Sequence, residues 1–109
     1  MRLDSLSIYK AWVAAAWLAA SGAATAQDVS ALRQHALAAT CANCHGTQGR
    51  AVEGAAVPGL AGVPAGYLVE QMKAFKAGTR PATVMHQLAK GYSDAQIEQI
   101  AAYFAAQKK

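Results

Sequence analysis

Several protein classes are excluded by what this sequence does not contain. It has no alternating apolar and polar runs of strand type, no internal repeat, and no basic stretch interleaved with aromatic residues. The first absence argues against sheets, the second against a repeat array, and the third sets nucleic acid aside as a partner. Cysteine is scarce, with two residues only, Cys41 and Cys44. Together with three histidines, His35, His45 and His86, they make a poor supply for a closed four-ligand zinc site. No apolar run is long enough to span a bilayer, and the longest, Ala11 to Ala20, lies at the beginning of the chain between Lys10 and Ser21.

That early stretch reads as an address. Arg2 and Lys10 flank a short leading region, the apolar run follows, and Ala24-Thr25-Ala26 offers a small-residue cleavage pattern before Gln27. The expectation is a secretory signal peptide at 1–26 and one domain at 27–109, with no stable membrane insertion after cleavage and a periplasmic location. An uncleaved anchor is the competing reading, because Trp12, Val13, Trp17 and Leu18 lie in the run, and N-terminal sequencing that began at Met1 would establish it. The remaining 83 residues keep 8 basic and 5 acidic side chains, a net charge of +3. At that size an apolar core alone is marginal, and a covalent or metal staple usually helps.

Helical spacing organises most of the domain. Leu32, Ala36 and Ala39 recur after Asp28 and Ser30, both competent caps, which predicts a first helix from about Ser30 to Thr40. Between Gly46 and Gly62 five glycines and Pro58 give a loop composition, expected to wrap something instead of packing on itself. Pro64, the stripe Leu68, Met72 and Phe75, and the stop at Gly78 predict a second helix with Glu70, Lys73 and Lys76 on its other face. Pro81 and Gly91 interrupt the next segment. Ser93 with Gln96 then forms a capping-box pattern before a last helix whose stripe is Ile97, Ile100, Ala101 and Phe104. The fold class expected is all-α, three main helices and long loops around one bound group.

The chemistry sits in Cys41-Ala42-Asn43-Cys44-His45, the C-x-x-C-H pattern of covalent haem attachment. Two thiols three residues apart lie on one side of a helical turn and can each add to one vinyl group of a haem c, and the next residue projects its imidazole at the iron. Haem propionates would offset most of the positive charge. Three other readings use the same residues. A thioredoxin-like redox pair needs a βαβ context that is absent, a zinc site needs more ligands, and a plain disulfide leaves His45 without a role. Resistance of the pigment to extraction by acidified organic solvent separates covalent attachment from all of them.

An electron carrier usually fills the opposite face of the iron with methionine sulfur, whereas an open face suits oxygen or peroxide. Met72 falls on the apolar stripe of its helix and reads as core filling. Met85 falls in the non-periodic segment after Pro81, where a loop can bring it across the haem, and is the expected distal ligand. His86 beside it keeps bis-histidine ligation open, and His35 reads as a surface or partly buried histidine with no iron role.

The order of these pieces carries a resemblance. Leu37-Ala38-Ala39-Thr40 leads into the attachment motif and Gly46, followed by Pro58-Gly59-Leu60, Tyr67-Leu68, Phe75-Lys76-Ala77-Gly78, Met85 and Ile100-Ala101-Ala102-Tyr103-Phe104. Over essentially all of 27–109 this resembles the class I cytochromes c, and looks like one domain of the tandem two-haem members. Val84-Met85-His86-Gln87-Leu88-Ala89-Lys90-Gly91-Tyr92-Ser93 resembles the haem subunit of flavocytochrome c sulfide dehydrogenase, with one C-x-x-C-H here allowing only a single-haem version.

The resemblance implies that the Pro58 carbonyl accepts from the ring N–H of His45, that Leu60 packs on the haem, and that Tyr103 sits where the first and last helices cross. It also implies a function in which a flavoprotein subunit passes single electrons to this haem, which itself does no bond chemistry. Arg50 is a candidate partner for a propionate or else a solvated loop arginine, and Lys73, Lys76, Arg80 and Lys90 are candidates for a positive rim steering redox partner proteins, with a solvated helix face the competing account of Lys73 and Lys76. The alternative is a free-standing soluble electron shuttle between respiratory complexes. A haem catalyst such as a peroxidase is a third reading, and it requires a vacant or displaceable sixth position.

Overall fold

The computed structural model describes residues 28–109, so the expected signal peptide and its cleavage point lie outside the described residues. The chain divides at Arg33 and Gln34 into two compact units. The described part of the first, 28–33, is helical, and the helical state extends to residue 39, giving α1 over 28–39. Four further α-helices follow in the second unit: α2 (Ala42–His45), α3 (Ala65–Ala77), α4 (Met85–Lys90) and α5 (Asp94–Ala105), with a 3-10 turn at Thr47–Gly49. No strand occurs among the described residues.

α5 is the best-specified element. The Ser93 hydroxyl accepts from the Gln96 N–H at 3.2 Å, and the Gln96 side chain accepts from the Ser93 N–H at 2.9 Å, so two otherwise orphaned donors of the first turn are satisfied reciprocally. The stripe behind this box is buried throughout: Ile97, Ile100, Ala101 and Phe104 are between 0% and 5% exposed. α3 begins immediately after Pro64 and ends at Gly78 in the left-handed region (φ 76), whose N–H reaches back to the carbonyl of Phe75. α3 packs along both α4 and α5.

The core cluster unites Ala38, Leu68, Ile100, Ala101 and Phe104, with Leu37, Cys41, Leu60, Val63, Val69, Tyr92 and Tyr103 partly buried against it. Two expectations about faces are corrected here. On α1 the packed residues are Leu37 and Ala38, while Leu32, Ala36 and Ala39 are exposed. Alanine is apolar enough to fit either side of such a helix, so in an alanine-rich stretch the spacing does not choose the face. On α3 the core takes Leu68 and Val69, and Met72 and Phe75 are only half-buried. Phe75 instead carries the guanidinium of Arg80 4.6 Å above its ring.

A third correction concerns the glycine-rich loop. It does pack on itself: the carbonyl of the buried Gly49 accepts from the N–H groups of both Leu60 (2.8 Å) and Ala61 (3.1 Å). Gly62 N–H then donates to the Phe104 carbonyl at 2.9 Å, fastening the loop to the end of α5. Gly49 has φ 77 and its α-hydrogen faces the Phe104 ring; a Cβ there would come within 2.7 Å of Phe104 Cδ1. Only glycine meets both demands.

Candidate functional site

The attachment motif lies where α1 gives way to a single tight helical turn. Cys41 N–H donates to the Ala38 carbonyl at 3.1 Å, closing α1, and the Cys41 carbonyl then accepts from Cys44 (3.3 Å) and His45 (3.0 Å). One turn therefore carries both thiols on one side and delivers His45 beyond them. The cysteines are free, Cys41 half-buried and Cys44 exposed, so no disulfide joins them. Burial pushes the Cys41 thiol up, with a smaller opposing effect from the Thr40 hydroxyl 3.9 Å away and a small upward one from Cys44.

His45 is 8% exposed and is the one buried polar side chain among the described residues. Its Nδ1–H donates to the Pro58 carbonyl at 2.7 Å, which is the contact the resemblance implies. A carbonyl can only accept, so this bond fixes the proton on Nδ1 and leaves the Nε2 lone pair for a metal. Two local features make it possible. Gly46 (φ 85) turns the chain sharply away after His45, where any side chain would collide with the Arg50 carbonyl, and the double hydrogen bond to Gly49 folds the loop back so that Pro58 returns to the ring.

The donor set fits a covalent haem: two thiols on one turn, and an imidazole held in a single tautomer with its other nitrogen unprotonated. Among the described residues no group of three or more Cys, His, Asp or Glu gathers to hold a bare metal ion, so the zinc reading gains nothing.

Met85 is placed differently from the expectation. It is half-buried and opens α4, where a loop position was expected. A six-residue helix bracketed by Pro81 and Gly91 is too short to display a period. Successive helical residues point about 100° apart, so Met85 and His86 face different ways. His86 shares a face with Ala89, which is fully buried, and its Nδ1 is enclosed without a hydrogen-bond partner. Met72 is half-buried on α3 and Leu60 half-buried beside the core.

The remaining expected residues are drawn into the protein's own contacts. Arg50 donates from Nε to the Lys108 carbonyl at 2.9 Å and also binds the Gln48 side chain, so its guanidinium serves the C-terminal segment. Lys73 (3.9 Å) and Lys76 (3.3 Å) converge on Asp94, and Arg80 bonds Gln71. Of the expected positive rim, Lys90 is exposed on α4. His35 is exposed and meets Tyr103 edge-on at 5.5 Å, so Tyr103 does lie between α1 and α5, where Gln34 also donates to the Gln99 carbonyl at 3.0 Å.

Sequence reasoning had no signal for two contacts at the motif. The Thr40 hydroxyl lies 2.7 Å from the Tyr92 hydroxyl, and the Lys76 ammonium donates to the Tyr92 carbonyl at 2.7 Å. Both join residues distant in sequence through exposed or half-exposed polar groups.

Comparison with known proteins agrees with this geometry. Residues 29–108 match the family model described as Cytochrome c. The chain is 37% identical over 78 residues to the cytochrome subunit of sulfide dehydrogenase from Chlorobaculum tepidum, covering 72% of this chain and 69% of that protein. It is 41% identical over 68 residues to the thiosulfate dehydrogenase electron acceptor of Thiomonas intermedia, covering 62% of this chain and 31% of that one. The solved structure of Acidithiobacillus ferrooxidans cytochrome c4 superposes with a TM-score of 0.57 at 39% identity, over 61% of this chain and 37% of that one. The chain thus spans about a third of the length of the latter two relatives. With its helical fold, its attachment turn and one covalent haem c implied by both, this chain belongs to the cytochrome c family and is an electron-transfer protein.

Proposed function

We propose that this chain is exported to the periplasm, holds its haem through thioether bonds to Cys41 and Cys44, ligates the iron with His45 and Met85, and serves as the haem subunit of a flavoprotein sulfide dehydrogenase. The observation that carries the site is the 2.7 Å bond from His45 Nδ1 to Pro58, which aims a tautomerically fixed imidazole from the same turn that carries both thiols. For the partner, support comes from the Chlorobaculum tepidum relative, which this chain matches over 69% of its length. Bound haem supplies a reversible one-electron couple.

The protein's own residues orient and insulate that couple. Donation to Pro58 makes the His45 ring a stronger electron donor at Nε2 and stops it rotating. A thioether from Met85 favours the reduced iron relative to a second imidazole, setting a higher potential. Leu60 and the residues packed on Phe104 keep the motif's inner side apolar. No helix among the described residues is long and apolar enough to cross a membrane. Export is supported by the leading apolar run and its small-residue site.

A native pull-down of the haem-loaded protein from periplasmic extract, read for both haem and flavin, tests the partner. Retained flavin with sulfide-driven haem reduction is the expected result. Haem alone, monomeric and reducible by other carriers, would establish the second reading, a free-standing shuttle, which the Thiomonas relative's name as an electron acceptor favours. Met85→His tests the ligand: the sulfur-to-iron charge-transfer band should vanish, and a band that survived would remove Met85.

A further inference from the structure

Tyr92 lies between α4 and α5 and is held from three directions. Its N–H donates to the Ala89 carbonyl at 3.3 Å, its carbonyl accepts from Lys76 Nζ at 2.7 Å, and its hydroxyl lies 2.7 Å from Thr40 Oγ1. Its ring is also packed against the core cluster. The direction of the third bond can be assigned. Thr40 has one hydroxyl proton, and it goes to the Leu37 carbonyl at 2.8 Å, so the Tyr92 O–H donates and Thr40 Oγ1 accepts. Thr40 is the residue immediately before Cys41, and its oxygen is also 3.9 Å from Cys41 Sγ.

These bonds join otherwise separate parts of the site. Fifty-two positions along the chain separate Thr40 and Tyr92. On one side of the link is the turn that carries Cys41, Cys44 and His45; on the other is the end of α4, whose first residue is Met85. α4 is only six residues long and has no side-chain cap. A helix that short does not hold itself in place, so its position depends on what grips its ends. α3 supplies one grip through packing and Lys76, and the Tyr92–Thr40 bond supplies a second, from the attachment segment.

We propose that Tyr92 is a positioning residue: its hydroxyl, bonded to Thr40, sets the distance between α4 and the haem-attachment turn and so keeps Met85 in place at the iron. The optical part of this inference rests on Met85 as axial ligand; the mechanical part, the tethering of α4, does not. The bond is partly solvent-exposed, so its effect is local, on the placement of α4, and not on whether the protein folds.

The test uses the haem-loaded full chain with Tyr92→Phe, Thr40→Val, Thr40→Ser and the double variant Tyr92→Phe/Thr40→Val. Tyr92→Phe keeps the ring in the core, and Thr40→Val changes an exposed position, so one variant remains informative if the other folds poorly. Two readouts are followed: the sulfur-to-iron charge-transfer band during mild heating, and hydrogen exchange at the α4 amides of Leu88 and Ala89. Expected are an opening of α4 about 2- to 10-fold more frequent in either single variant, loss of the band before loss of helical signal, no further change in the double variant, and recovery in Thr40→Ser. Unchanged α4 exchange, additive single effects, or simultaneous loss of band and helix would overturn the proposal. A wild-type protein with no such band would refute the Met85 assignment, and the exchange data would still decide the tether.

Discussion

The loop from Gly46 to Val63 and the helix pair α3 and α5 solve the same problem by opposite means. α5 is held by area: four apolar residues in one stripe, each nearly or fully buried, with Phe104 and Ile97 as the largest enclosed side chains. The loop buries little, and Val52, Glu53, Gly54 and Ala55 are all exposed. It is held by a few directed bonds, Gly49 to Leu60 and Ala61, Pro58 to His45, and Gly62 to Phe104. Area tolerates exchange of one apolar group for another of similar volume, whereas directed bonds depend on backbone angles that few residues can adopt. The two regions meet at Phe104, whose ring sets the space at Gly49 and whose carbonyl receives Gly62.

Phe104→Ala attacks both regions at once and should have the largest effect, a loss of about 3–5 kcal/mol in denaturant unfolding of the haem-loaded protein. A loss below about 1 kcal/mol would mean that the helix pair does not depend on this ring. Next is a contrast within the loop. Gly49→Ala forces a left-handed backbone and drives a methyl into Phe104, for about 2–4 kcal/mol, whereas Gly54→Ala at the same φ of 77 meets open space and should cost only about 1 kcal/mol. Equal losses at the two sites would show that backbone conformation, not the approach to Phe104, governs the loop.

Ser93→Ala removes one side of the capping box and should lower stability by about 1 kcal/mol, with the loop contacts and the His45 tautomer untouched. Smallest is Lys73→Ala, whose 3.9 Å pair with Asp94 is largely exposed; less than about 0.5 kcal/mol is expected, measured as a shift in midpoint that shrinks further in salt.

The same division explains what was legible beforehand. The start and the buried stripe of α5 are readable because its cap, its stripe and its period all lie within a dozen consecutive positions. The end of α3 was readable from Gly78 alone. The face of α1 was not, because alanines occupy both of its sides and leave no contrast. α4 leaves no mark in the sequence, because Met85–Lys90 is shorter than two helical turns and is fixed by neighbours instead of by its own pattern. At the site, the attachment turn stands out as five consecutive residues. The Pro58 contact followed only from likeness to known sequences, and the grip of Thr40 and Lys76 on Tyr92 depends on polar groups meeting across the fold, which no local pattern encodes.

The two amides converging on the Gly49 carbonyl have a further meaning for the chain's capacity to change. They close a bracket around residues 50–59, and within it Pro58 is held separately by its bond to His45, so an insertion between residues 51 and 56 leaves both fixed points in place. Length in that interval is then nearly free, since doubling a flexible loop costs only about 0.6 kcal/mol in closure entropy. The tip around Gly54 is therefore a natural place to graft a peptide, an epitope or an electrode anchor without disturbing the His45 ring and its bond to Pro58.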